Sequence, residues 1–292
     1  MTRADLERLE TAVRRALQRG NAEGLEVVGY GEISLVLVLD TGQLRVAAKR
    51  LPLFPSQGAV SDYEACLTRY LARLEAAGIE PVPTRLQAIE VAGGRLAAYC
   101  LQPMLPPGSL GHELLVDCSA AEADALFAGV IDRAVGAVGP CLGVDAQISN
   151  WAMVDGSLEY LDVSTPLMRD DEGAEELDLE LFIASLPWAV RRFVRRHLLS
   201  SVVDKYYDPR QCLRDVAANF HKEGLARWIP RFLELCNRQL ERPLTEAGVA
   251  RYYRGDALMW ELLLRLRRAD RWWQLQVRRR PYPFLLPGPI TR

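Results

Sequence analysis

The sequence predicts an α+β protein in two lobes, a β-rich first lobe followed by a mainly helical second one. Three observations carry that expectation. Short apolar runs bounded by glycine turn signals crowd the first hundred residues. Proline and glycine then cluster at Pro103, Pro106, Pro107 and Gly108, the pattern of a linker. Beyond that point apolar residues recur mostly at helical spacing. The expected division is 1–103, holding an N-terminal helix, an antiparallel sheet and one further helix, and 104–292, the helical lobe.

The elements follow in order. Leu6, Leu9, Val13 and Leu17 repeat at helical spacing, and Gly20 closes that first helix. Residues 25–31, 35–39 and 44–51 read as strands, the last two joined across Asp40-Thr41-Gly42 as a hairpin. Over 61–77 a second helix places Tyr63, Cys66, Leu67, Tyr70, Leu71 and Leu74 on one face, with Gly78 as its stop. Strands at 85–91 and 95–102 meet at Gly93-Gly94. An alanine-rich helix spans 120–137, and a short β patch spans 151–163 around Asp155-Gly156. Helices are expected over 177–203, 208–239 and 245–277, ahead of an irregular tail rich in arginine and proline.

Composition narrows the function classes. With 292 residues, 49% hydrophobic, the chain can bury a real core. A net charge of −2 gives no reason to expect nucleic acid as a partner. No apolar run approaches the roughly 18 residues of a membrane span, and the charged N-terminus has no apolar signal core. A cytoplasmic protein without a membrane partner is expected. Six scattered cysteines without a C-x-x-C pair read as buried free thiols. Thirty-three of the 36 basic residues are arginines, so a lysine on an apolar strand asks for a reason.

Four constellations carry chemistry. Gly29 and Gly31, followed by Ser34, lie between two strands, where glycines let backbone N–H groups approach phosphate oxygens; a plain hairpin turn is the ordinary alternative. Lys49 ends an apolar strand on which Val46, Ala48 and Arg50 face one side and Ala47 and Lys49 the other. Its compact ammonium suits a phosphate contact, against the plain reading of a solvated edge lysine. Glu64, on the following helix, is placed to pair with Lys49, although surface charge is the commoner fate of a helical glutamate. Finally Asp145, Asn150 and Asp162 bracket the small hairpin. Phosphoryl transfer needs this inventory: a carboxylate to orient a nucleophile, and an amide oxygen and a second carboxylate as hard ligands for Mg²⁺.

From about residue 25 to 165 the chain resembles the protein-kinase-like superfamily, and within it the aminoglycoside-phosphotransferase and choline-kinase-like branch. Glu64 with Leu67, Leu71, Leu74, Gly78, Ile79 and Pro83 is similar to that branch's helix and its proline-containing exit. Residues 99–105, Gln102 among them, look like the hinge that holds adenine. Asp145, Asn150 and Asp162 fall at the positions of the family's catalytic aspartate and two metal ligands. The resemblance implies a two-lobed kinase-like fold, ATP and Mg²⁺, and transfer of the γ-phosphate to a small-molecule or peptide hydroxyl. Two departures stand out: Gly143-Val144 precedes Asp145 where the family has histidine, and Val163 follows Asp162 where an aromatic residue is usual. A nucleotide-binding pseudokinase serving as a scaffold is the rival reading. The acidic stretch 170–180 suits a cationic acceptor, and the arginine- and tryptophan-rich C-terminal region suits a protein partner.

Overall fold

The computed structural model describes residues 2–30, 35–179, 191, 203–279 and 282. Its first part is an antiparallel sheet with one helix on each side. Helix α1 (Arg3–Arg19) begins in a capping box, Thr2 accepting from the Asp5 N–H while the Asp5 carboxylate accepts from Thr2. Strands β1 (Val27–Tyr30), β2 (Leu35–Asp40) and β3 (Arg45–Arg50) run in meander order. Helix α2 (Gln57–Ala76) follows, then β4 (Glu80–Pro81), β5 (Arg85–Val91) and β6 (Arg95–Pro103). The five-stranded sheet has the order β1-β2-β3-β6-β5, so β3 lies at its centre, with Lys49 opposite Val36 on one side and Cys100 on the other.

The second part is mainly helical. Helices α3 (Gly111–Asp117) and α4 (Ala120–Ala137) precede a hairpin of β7 (Trp151–Val154) and β8 (Ser157–Tyr160). Asp155 and Gly156, both at positive φ, make its two-residue turn. Helices α5 (Pro209–Lys222), α6 (Ile229–Cys236) and α7 (Glu246–Trp272) complete the described chain. The architecture is α+β, with the sheet N-terminal and the helices C-terminal, as the sequence predicts.

Two details depart from the sequence reading. The single helix expected over 208–239 is two, because Gly224 takes a left-handed φ of 72° that ends α5. Helix α3 was not anticipated; its Gly111 lies so close to the Ile148 carbonyl that a Cβ there would collide with it. The helix expected over 177–203 and the tail fall almost wholly outside the described residues. All six cysteines are free, but Cys118 and Cys141 are only half-buried.

Two apolar cores lie on opposite faces of the sheet. One joins Leu6, Leu9 and Val13 of α1 to Leu37, Leu39, Ala48, Ala97 and Leu101. The larger one runs from α2 across residue 103 through α4, α5 and α6, and includes Tyr63, Tyr70, Phe127, Trp151 and Phe220. A second connection between the two parts is the parallel pairing of β4 with β8, which sets the exit of α2 against the small hairpin.

The helix-α1 face holds a buried polar triad. Arg50 donates through Nε and Nη2 to the two Glu10 carboxylate oxygens at 2.8 and 2.9 Å, and the Tyr99 hydroxyl donates to Glu10 at 2.6 Å. Glu10 is only 3% exposed. Because side chains alternate along a strand, tying Arg50 to α1 turns Lys49 to the opposite face. Glu10→Ala leaves the Arg50 guanidinium buried without its counterion and is expected to cost about 3–5 kcal/mol. Urea unfolding checks this; a loss below about 1 kcal/mol, the range of an exposed pair, would show that the triad does not pin α1.

Candidate functional site

Four of the residues that the sequence marks as chemical, Lys49, Asp145, Asn150 and Asp162, are linked where the sheet faces the small hairpin. Lys49 Nζ lies 2.7 Å from Asp162 Oδ1 across 113 residues of chain, and both side chains are partly shielded from water, at 21% and 28% exposure. Ser164 Oγ donates to the same oxygen at 3.1 Å. Burial pushes the Asp162 pKa up, but Lys49 and Ser164 outweigh it and hold the carboxyl below its ordinary value. Gln102, on β6, donates through Nε2 to the Leu161 carbonyl at 2.9 Å and to Thr84 at 3.0 Å. Its side chain thus fixes the residue before Asp162.

Asp145 and Asn150 come from the loop before the hairpin. Asn150 Nδ2 donates to the Asp145 carbonyl at 2.9 Å, and the Tyr160 hydroxyl donates to it at 3.2 Å. The Asn150 carbonyl accepts from Leu161 N–H at 2.8 Å, which joins the two loops directly. Among the described residues the Asp145 carboxylate receives only long contacts, both 3.4 Å, from Gln147. Burial raises its pKa first, the charges of Asp215 and Asp162 raise it further, and Lys205 pulls it back; the result is about 7.

Glu64 is not part of this cluster. It is exposed on α2, and the Lys49 ammonium bonds Asp162 instead. The expected Lys49–Glu64 pair is corrected by helix phase: Tyr63 occupies the inward position, and its neighbour is rotated about 100° away. Tyr63 and Tyr70, two turns apart, donate their hydroxyls to the Ser164 carbonyl at 2.8 Å and the Gly143 carbonyl at 3.0 Å. Helix α2 therefore holds both motif loops, but through tyrosines. Gly29 packs against Val36 at the end of β1, whereas Gly31 and Ser34 lie outside the described residues.

The sequence reading also missed a second lysine–aspartate pair. Lys205 Nζ lies 2.9 Å from Asp215 Oδ1 on α5, and the Tyr252 hydroxyl of α7 donates to that oxygen at 2.5 Å. The signal was available, since only Lys49, Lys205 and Lys222 are lysines. The acidic stretch is less open than its charge suggested. Glu176 pairs with Arg69 and Arg73 of α2, and Glu175 with Arg169, so these carboxylates clamp the fold.

Asn150 Oδ1 and the Asp162 carboxylate are oxygen donors that could hold a divalent cation. Among the described residues no group of three or more His, Cys, Asp or Glu side chains is arranged to hold a metal. This sparse, hard donor set fits Mg²⁺, which keeps water and phosphate oxygens as its remaining ligands.

Fold and site together define an α+β protein in which one lysine from a central strand and an Asp–Asn–Asp set from the two loops flanking a hairpin share a polar cluster. The chain belongs to DUF6206, a family of unknown function, whose model matches residues 8–271. No curated protein matches it in sequence. Among solved structures it is similar to WaaP in complex with acyl carrier protein, at 15% identity and a TM-score of 0.36, covering 75% of this chain and 92% of that one. It is also similar to the MAP kinase LmaMPK10 from Leishmania major, at 13% identity and a TM-score of 0.32, covering 84% and 88%. Likenesses this distant carry no argument about chemistry. Among the described residues no helix is long and apolar enough to cross a membrane.

The raised Asp145 pKa has a consequence for stability. The ordinary value is 3.8, so the fold holds this proton more tightly than the unfolded chain does. The stabilisation is complete at pH values below about 4 and is lost as pH rises through about 7. Asp145→Asn is therefore expected to raise the Tm at pH 8, with a gain that shrinks toward pH 5. A gain independent of pH, or a loss at pH 8, contradicts the like-charge crowding.

Proposed function

We propose that this protein is an ATP-dependent phosphotransferase that moves the γ-phosphate of ATP to a hydroxyl group of a small molecule or a peptide. The observation that carries the reading is the Lys49–Asp162 contact: a lone strand lysine is brought, from 113 residues away, onto a carboxylate beside Asp145 and Asn150. In this reading Asp145 orients the acceptor hydroxyl and takes its proton. The acceptor oxygen attacks the γ-phosphorus in line, the bond from phosphorus to the bridging oxygen breaks, and ADP leaves with that electron pair. A base with a pKa of about 7 is well matched to neutral pH.

Lys49 neutralises the α- and β-phosphates, for which its ammonium must leave Asp162. Asn150 and Asp162 would hold Mg²⁺, which when bound offsets phosphate charge. The backbone around Gly29, Gly31 and Ser34 would cover the phosphates, and the backbone of residues 99–105, Gln102 among them, would meet the adenine. Gln102 contributes by holding Leu161. The 1–103 and 104–292 lobes would close on the nucleotide from either side, in a cytoplasmic setting. A second reading, a nucleotide-binding scaffold without turnover, draws on one observation: Glu64 stands away from Lys49.

Isothermal titration with ATP and Mg²⁺ separates these ideas. Lys49→Met and Asp162→Ala should each weaken binding by about tenfold or more, the worth of a charge-assisted contact. Glu64→Ala should leave it unchanged. Equal affinity in the wild type, Lys49→Met and Asp162→Ala would remove the phosphate and metal assignments; binding without any phosphoryl transfer would favour the scaffold.

A further inference from the structure

Lys205 repeats, from the helical side, what Lys49 does from the sheet. It opens the turn 205–207, whose Tyr206 carbonyl accepts from the Val144 N–H at 3.2 Å, directly before Asp145. Its ammonium is held at 2.9 Å by Asp215, which is 3% exposed and already engaged by Tyr252 and, at 3.3 Å, by Asn219. The ring of Tyr206 lies 4.8 Å from the same nitrogen. Among the described residues Asp215 is the one hydrogen-bond acceptor that Lys205 meets, which leaves donor capacity on the ammonium of a side chain that is 14% exposed. The Lys205 charge is felt at Asp145. A pair needed for structure alone would be served by arginine, which this chain uses at 33 of its 36 basic positions. Two of the three lysines, Lys49 and Lys205, instead each hold an aspartate, Asp162 and Asp215, whose charge is felt at Asp145.

We propose that Lys205 is a second phosphate-binding lysine, contacting the terminal phosphate of the nucleotide while Lys49 contacts the inner two. The assignment rests on the phosphotransferase reading above. Lys205 stays protonated throughout: it donates a hydrogen bond to a γ-phosphate oxygen, while the acceptor O–H bond breaks toward Asp145, the O–P bond forms and the bridging P–O bond breaks. Asp215 and Tyr252 are positioning residues that aim the ammonium. A compact point charge suits this place, because a guanidinium fork cannot turn three donors between a carboxylate and a phosphate.

The test compares two probes by calorimetry in the presence of Mg²⁺: ADP, and an ATP analogue with a nitrogen bridge to the γ-phosphate. Lys205→Met should weaken the analogue by about tenfold, as expected for one charge-assisted hydrogen bond, and ADP by less than about twofold. Lys49→Met should weaken both. Because Lys205→Met leaves Asp215 buried without its cation, the double variant Lys205→Met/Asp215→Asn is measured as well and should show the same selective loss. An equal effect of the Lys205 variants on the two probes, or none on either, overturns the assignment while leaving the phosphotransferase reading in place. A wild-type protein that binds neither probe overturns both.

Discussion

The ion pair between Lys49 and Asp162 is the contact on which the site depends. It joins the central strand of the sheet to the loop after the small hairpin, and the surrounding structure fixes its two ends. On one end, the buried Glu10–Arg50–Tyr99 triad sets the rotation of β3. On the other, Gln102 holds Leu161, Ser164 holds the Asp162 carboxylate, and Tyr63 holds the Ser164 backbone. The pair itself adds little net stability, since two partly hydrated charges lose in desolvation much of what they gain in attraction. Its value is placement: it keeps a cation and a carboxylate where phosphate and metal would meet.

Much of this was legible in the sequence. The alternation of Val46, Ala48 and Arg50 against Ala47 and Lys49 gave the facing of β3, and the Asp145–Asn150–Asp162 spacing identified two loops that hydrogen bonds do join. The instructive failure is Glu64. The same periodicity that put Tyr63, Cys66, Leu67 and Tyr70 on the inner face already turned Glu64 outward, although its place on the helix after the Lys49 strand suggested a pair. Lys205 went unnoticed although the scarcity of lysine applied to it as much as to Lys49. Its partner Asp215 lies ten residues on, in a different element, and the covering Tyr252 comes from α7, so only tertiary packing shows the pair. The break at Gly224 carried an ordinary helix-stop signal in His221-Lys222-Glu223-Gly224.

The electrostatics of the cluster explain its cost. Three carboxylates, Asp145, Asp162 and Asp215, share a partly buried region with two lysines, and among the described residues Asp145 has no close counterion of its own. A fold selected for stability alone has no reason to keep that aspartate, whereas a site that moves protons and binds a metal does. The carboxylates at Glu175 and Glu176 show the contrast: Glu176 pairs with Arg69 and Arg73 and fastens the 169–176 segment to α2, and Glu175 pairs with Arg169 within that segment.

The most direct measurement is a crystal structure of the protein with Mg²⁺ and the non-hydrolysable ATP analogue. The account predicts that the Lys49–Asp162 pair opens, with the Lys49 ammonium on the phosphate chain and Asp162 and Asn150 on the metal beside Asp145. A nucleotide bound elsewhere, with Lys49 still on Asp162, would contradict it.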